Sequence, residues 1–328
     1  MTCELLTFGP RSRVYEERNG LRVRVLRSLA HLAGHPAHPV APALLGALRA
    51  ADVVHTHHLR STPSVVAALI GRTRRRRLVV TDHGLAGRDW WGILPRRFDR
   101  LLAVSRYSAS LLDFPPARVR VVYGGADPVR FAPDAADRRD GVLFVGRLTP
   151  HKGVDRLIRA LPAGAVLTIA GTGSHDRDPP ERDHPAHLRA LAGGRDVRFV
   201  GAVDDHTLAK LYRRAAVLAV PSVHTTCYGR RVAVSELLGL TTIEAMASAT
   251  PVVASRVGGL TELIADGENG YLVEPGDVDA LRDRLGELLD DPGLARRLGE
   301  GARALVLERF TWDACARRCV DAYRELLI

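Results

Sequence analysis

Short apolar runs rich in valine and leucine alternate along the first part of the chain with stretches whose apolar positions recur at helical spacing. The runs Cys3–Phe8, Leu21–Leu26, Val53–Thr56, Leu78–Thr81, Arg100–Val104 and Val119–Tyr123 predict strands. Pro42–Ala50, Pro63–Gly71 and Ser105–Asp113 predict helices between the later ones. The polar, patternless segment Pro128–Arg139 then reads as a linker. A second series follows, with strands at Gly141–Gly146, Val166–Gly171, Val197–Val200, Val217–Val220, Val252–Ala254 and Tyr271–Val273. Its helices are expected at Gly153–Leu161, Asp204–Arg214, Thr241–Ala249, Leu260–Ala265, Val278–Leu289 and Gly293–Leu307, with a strongly periodic Trp312–Leu327 at the end. Such alternation implies α/β architecture, doubly wound parallel sheets in two domains. The boundaries are placed at 1–133 and 134–309, with 310–328 as a separate C-terminal helix.

In sheets of this kind the working residues lie at the carboxyl ends of strands. Four turns there carry chemistry. Glu236 and Glu244 flank Gly239-Leu240-Thr241-Thr242, which reads as a helix start. A helix start offers unpaired N–H groups and positive dipole, so it holds phosphate. A carboxylate one turn in, Glu244, suits the vicinal hydroxyls of a ribose, and Glu236 then faces whatever lies beyond the phosphates. The competing reading makes Thr241-x-x-Glu244 a capping box that only satisfies its own helix. The second turn, Val145–Gly153, carries Arg147 and Lys152, a guanidinium fork and a point charge fit to clamp a pyrophosphate. The third and fourth are His57-His58 and Asp82-His83-Gly84; a histidine at a strand end is more often structural, but for His83 the glycine after it favours a tight, exposed turn.

Composition changes this picture little. The formal charge of +10 and pI near 10.1 permit an anionic partner. The one dense basic block, Arg72–Arg77, reads as a solvated loop, with an anionic membrane leaflet as its other partner. The aromatic interleaving of single-strand nucleic-acid platforms is missing, so no nucleic acid is expected. No apolar run reaches the roughly 18 residues of a membrane helix. The N-terminus lacks a signal-peptide layout, and a cytoplasmic protein is expected, with peripheral contact at the inner membrane face left open. Cys3, Cys227, Cys315 and Cys319 have no metal spacing, and the last two read as small hydrophobes on one helix face. The His/Asp/Pro-rich His175–His187 fits no ligand template and reads as a solvated loop.

With these residues in view, the chain resembles glycosyltransferase family 4, the retaining nucleotide-sugar-dependent enzymes of GT-B fold. The resemblance runs through ADVVHTHH (51–58), VVTDHG (79–84), AVSRYSASLL (103–112) and VVYGGADPVRFAP (121–133). It continues in VGRLTPHKG (145–153), AGTG (170–173), VRFVGAV (197–203), AVPS (219–222) and the paired glutamates. It implies two Rossmann-like domains facing across a cleft, and transfer of a hexose to a hydroxyl acceptor, glycan, lipid-linked or small-molecule, as in cell-envelope or polysaccharide biosynthesis. It implies that Arg147 and Lys152, with Gly146, Gly171 and the N–H groups of Leu240, Thr241 and Thr242, take the donor diphosphate. Glu244 would hold the ribose, Glu236 the sugar, backbone near Val203 the base, and His83 would stand at the reaction centre. Neither metal nor cofactor is implied, and the final helix would cross back onto the first domain.

Three departures stand out. The strand, glycine-rich turn and helix that open the family pattern do not precede Cys3–Phe8, so the first domain is expected to lack that unit, with Met1 a misassigned start or a truncation. VHTTCYGRRVAVS lies as an extra loop between Ser222 and Glu236; Arg230 and Arg231 in it read as solvated, or as reaching an acidic acceptor. Ala249 stands where the family has glycine, at a cost of about 1 kcal/mol if the backbone there is left-handed. Two rival readings remain open: a catalytically silent paralogue that binds nucleotide-sugar or a partner, and a basic nucleic-acid binder with steep salt dependence.

Overall fold

The computed structural model describes residues 2–48, 51–71, 76–83, 93–173 and 179–327. They form two compact units. One comprises 1–104, 109–122 and 318–328, the other 105–108 and 123–317.

In the first unit β1 (Glu4–Gly9) and β3 (Arg22–Arg27) are parallel, and β2 (Arg13–Glu16) pairs antiparallel to β3. β4 (Ala30–His31) and β5 (Pro39–Val40) make a small ribbon. β6 (Val53–His57), β7 (Arg77–Asp82), β8 (Arg100–Ala103) and β9 (Val119–Val121) form a parallel sheet in that order. Its core packs Val54, Leu78, Val80 and Leu101 against Phe98, Leu59 and the Thr62–Gly71 helix. β2 has no counterpart in the hydrophobic pattern because all four of its residues are exposed, so no alternation marks it. The Pro42–Ala50 and Ser105–Asp113 helices are shorter than expected, Leu44–Ala47 and Arg106–Ser110. The last part of the Trp312–Leu327 helix belongs to this unit. Tyr323 bonds His55, Glu325 pairs with Arg100 and Arg120, and Arg77 Nε donates to Leu326 O. Arg77 is therefore engaged rather than solvated, while 72–75 lie outside the described residues.

The second unit is one six-stranded parallel sheet. Its strands are β10 (Asp140–Val145), β11 (Leu167–Ala170), β12 (Val197–Gly201), β13 (Ala215–Val220), β14 (Val252–Ser255) and β15 (Tyr271–Val273). Their order is β12-β11-β10-β13-β14-β15, so the winding reverses between β10 and β13. A doubly wound sheet opens its ligand crevice at such a reversal, outside the carboxyl ends. Leu143, Val217, Leu218, Val252 and Val253 are almost fully buried, as covering helices on both faces require.

Two expectations fail here for identifiable reasons. Pro128–Arg139 is no linker. Phe131 packs edge-on against Tyr212, Asp137 pairs with Arg213, and Arg139 donates to Thr250 Oγ1 and Ser248 O. The first unit accordingly ends at Val122, and Ala126 exchanges backbone bonds with Phe310 and Trp312 instead. A polar segment can be as firmly built as a core when its charges have partners. His175–His187 is likewise no loop at its end. Residues 174–178 lie outside the described set, but His184 opens the helix His184–Leu191 and is fully buried, with Tyr228 on its Nδ1. The Leu260–Ala265 helix is a 3-10 turn, Gly258–Glu262. Among the described residues no helix is long and apolar enough to cross a membrane.

Candidate active site

β10 ends at Val145, and the chain turns through Gly146 and Arg147 into the 3-10 turn Pro150–Lys152. Gly153 follows at φ 67°, and a Cβ there would lie 1.9 Å from the carbonyl oxygen of Pro221. Glycine is what lets this turn press against the end of β13. Val223 N–H seals the contact by donating to His151 O at 2.8 Å. The consequence is electrostatic. Lys152 Nζ reaches Glu236 Oε1, and Ser222 Oγ donates to the same oxygen at 2.9 Å. Only 17% and 12% of the two charged side chains stays exposed, so removing either would leave the other nearly enclosed without its counter-charge. Glu236 Oε2 has no partner among the described residues. Arg147 is exposed on the same turn and has no hydrogen bond or ion pair among the described residues. The His151 ring senses all of them. Burial first, then Lys152, with Arg147 and Arg230 adding, pushes it down to about 4 against the pull of Glu236. At neutral pH it is uncharged.

The helix Leu240–Ala247 starts at Gly239, φ 100°, and no side chain caps it. The capping-box reading fails on this point. Glu244 instead accepts a bond from the Tyr212 hydroxyl on Oε2, at 2.9 Å. Leu240 is exposed, Thr241 half-buried, and Thr242 Oγ1, in the helix's first turn, is buried without a partner among the described residues. The other end of the helix is firmly held. Arg303 donates to Ala247 O and Arg139 to Ser248 O, cations on the last carbonyls where the dipole favours them. Ala249 then takes φ 53°, the left-handed conformation expected of that position.

Bare backbone floors the crevice. Gly146 N–H donates to Ala170 O and Gly171 N–H to Gly201 O, at 2.9 and 2.8 Å. A Cβ on Gly171 would sit 1.9 Å from Gly146 O, so the strand ends of β10, β11 and β12 close up only without side chains. Val203 is half-buried just beyond β12. The extra loop before Glu236 is docked rather than solvated. Arg230 pairs with Glu181 at 3.0 Å, Tyr228 OH meets His184, and Ser235 Oγ donates to Val223 O. Arg231 stays exposed.

His83 belongs to the first unit, at the end of β7, with Gly84 outside the described residues. Its Nε2 lies 2.9 Å from His57 Nδ1, and the rings stack. His55 completes the set, bonded to Tyr323 OH and Thr81 Oγ1. Burial first, then the neighbouring imidazoles, lowers His83 to about 4 and His55 to about 3. These rings are neutral donors and acceptors at pH 7.

Sequence reasoning passed over Ser222, Tyr212 and His55. Ser222 follows β13 at the sheet's carboxyl edge, and position alone flags it. Tyr212 sits on the apolar face of Asp205–Arg214 and reads as core; only the fold shows where its hydroxyl goes.

Comparison with known proteins places these features. The family described as Glycosyl transferases group 1 matches residues 127–305, and Glycosyltransferase Family 4 matches residues 2–130. An uncharacterized glycosyltransferase of Methanocaldococcus jannaschii is 34% identical over 66% of this chain and 56% of its own. A GDP-mannose-dependent alpha-(1-6)-phosphatidylinositol monomannoside mannosyltransferase of Mycolicibacterium smegmatis is 30% identical over 98% of this chain and 90% of its own. The chain spans between 51% and 65% of the length of the first curated relatives it matches. Sucrose-phosphate synthase of Thermosynechococcus elongatus superposes with TM-score 0.76 at 24% identity, over 99% of this chain and 88% of that one. That likeness shows the fold, two Rossmann-like units of the GT-B type.

Proposed function

This chain belongs to the glycosyltransferases, group 1 and family 4, and from that premise we propose that it moves a hexose, with retention, from a nucleotide-diphosphate sugar to a hydroxyl acceptor. One observation carries the reading. A buried ammonium and a serine hydroxyl converge on one oxygen of Glu236, at the switch point of the sheet and beside an uncapped helix start. In this reading Arg147 and Lys152 take the diphosphate, with backbone N–H groups of Leu240–Thr242 and the bare turns at Gly146 and Gly171. Glu244 takes the ribose, backbone at Val203 edges the base, and Glu236 and His83 are the residues assigned to the sugar. The GDP-mannose named for the mycobacterial relative supports a ribonucleotide donor, and its lipid acceptor supports a hydroxyl on a glycan or lipid.

The chemistry needs little from the protein beyond charge. The bond from the anomeric carbon to the β-phosphate oxygen breaks, and the diphosphate gathers negative charge that Lys152 and Arg147 neutralise. The acceptor oxygen bonds the same face of that carbon, and its proton passes to a diphosphate oxygen. Neutral His83 donates or accepts a hydrogen bond to a sugar hydroxyl without adding charge. No metal is required in this scheme, because two cations already face the leaving group.

A thermal-shift screen with UDP-, GDP-, ADP- and dTDP-sugars, followed by product analysis at the anomeric centre, tests the proposal. A stabilising nucleotide-sugar whose sugar is released or transferred with retained configuration is the expected result. Inversion would defeat the mechanism. Binding with no sugar release would favour the silent paralogue, and salt-steep nucleic-acid binding alone would remove the enzyme reading altogether.

A further inference from the structure

Tyr212 has a hydroxyl that the transfer chemistry does not use. It is fully buried, edge-on to Phe131, and its backbone carbonyl is fixed by Thr250 Oγ1 at 2.6 Å, which in turn receives Arg139. Among the described residues its hydroxyl has one hydrogen-bond partner, Glu244 Oε2, at 2.9 Å. Glu244 is half-buried, and its Oε1 has no partner among the described residues. A carboxylate offers about four acceptor sites, and the tyrosine fills one. What remains is an oriented pair of oxygens, poor in donors, at the first turns of the phosphate-binding helix.

We propose that Tyr212 is a positioning residue that fixes the Glu244 carboxylate for two vicinal hydroxyls. The inference rests on the reading of Glu244 as the ribose carboxylate and sharpens it. An ionised carboxylate held in place gains from each hydroxyl that donates to it, and a deoxyribose leaves one acceptor position dry and unpaired. Burial, with Asp205 adding, pushes the Glu244 carboxyl up, while the tyrosine's bond, with Arg130 adding, pulls it down and so favours the ionised acceptor. Burial, followed by that neighbouring carboxylate, holds the phenol well above its usual range, so it stays a donor at every working pH.

The test is equilibrium binding of UDP, GDP and ADP, each against its 2′-deoxy counterpart, to the wild-type chain, Tyr212→Phe and Glu244→Gln. The wild type should prefer the ribonucleotide about tenfold or more, the worth of one hydrogen bond to a charged group. Glu244→Gln should bring that ratio near one. Tyr212→Phe, which keeps the ring packing, should cut the ratio about threefold or more, with the loss falling on the ribonucleotide. It should also move the acid limb of ribonucleotide affinity to higher pH, because the carboxyl loses the bond that lowers it. A purely structural tyrosine would lower the melting temperature and leave ratio and acid limb unchanged, and that result overturns the inference while Glu244→Gln still abolishes the ratio. A ratio untouched by Glu244→Gln removes the ribose reading itself, and failure of all three diphosphates to bind removes both.

Discussion

Two clusters of titratable side chains lie at carboxyl ends of parallel strands, one in each unit, and they handle charge in opposite ways. In the second unit Lys152 and Glu236 are charged and nearly enclosed, each stabilised by the other and by Ser222. In the first unit His55, His57 and His83 line up ring to ring and shed their protons. The difference follows from composition. A cation and an anion brought together keep their charges, whereas imidazoles brought together repel once protonated, so burial and neighbours both favour the neutral form. A paired charge suits a site that must meet a diphosphate; neutral rings suit a site that meets hydroxyls.

The largest effect should come from breaking the pair. Lys152→Ala leaves Glu236 buried with only Ser222, which should cost about 3 kcal/mol of stability. Turnover should fall about a hundredfold, the usual loss for one transition-state cation or donor. Calorimetric melting and sugar-release kinetics measure the two. Adding Glu236→Gln should restore much of the stability and none of the turnover. If the double variant melts no higher than the single one, the pair is not what holds these charges.

Next in size is Glu244, on the helix Leu240–Ala247. Glu244→Ala should weaken nucleotide binding about tenfold while sparing turnover at saturation, since ribose contacts do not change along the reaction. A larger loss in turnover than in affinity would move Glu244 to the reacting centre.

The histidine cluster predicts a pH dependence. His55 and His83 are depressed in the folded chain, so below about pH 6.5 the unfolded chain binds protons that the folded chain refuses. Stability is therefore full above that pH, falls as pH drops toward about 4 and 3, and levels off below. His55, the more enclosed ring, contributes a slope of up to about 1.4 kcal/mol per pH unit within its window, and the exposed His83 contributes less because solvent screens it. His55→Gln, which keeps a donor and an acceptor, should remove one such slope from urea unfolding between pH 6.5 and 4. An unchanged slope would mean that His55 titrates normally.

The smallest effect lies at the far end of the helix Leu240–Ala247. Ala249 holds φ 53° without the freedom of glycine, and Ala249→Gly should stabilise by about 1 kcal/mol, raising Tm by a few degrees. Nucleotide affinity should not move, because Arg139 and Arg303 already fix that end. A drop in Tm would show that the alanine methyl contributes packing that outweighs its strain.

How legible this was depends on the range of each interaction. The six strands of the second unit fall within a residue or two of their sequence reading, because continuous valine and leucine runs announce strands buried on both faces. Arg147, Lys152, Glu236 and Glu244 were legible as candidates because each sits at a turn where such sheets work. Misreadings came where polarity was mistaken for solvation. Pro128–Arg139 and the loop before Glu236 are rich in charge, yet Asp137, Arg139 and Arg230 all have fixed partners far away in sequence.

By itself the sequence determined the α/β class and the two series of strands and helices, since these depend on periodicity. Only the tertiary structure decided that Glu244 answers to Tyr212 rather than to its own helix, that Lys152 reaches Glu236, and that His83 is stacked on His57 and neutral. Those outcomes turn on which groups meet and how much water is left around them, quantities that exist only once strands distant in the chain lie side by side.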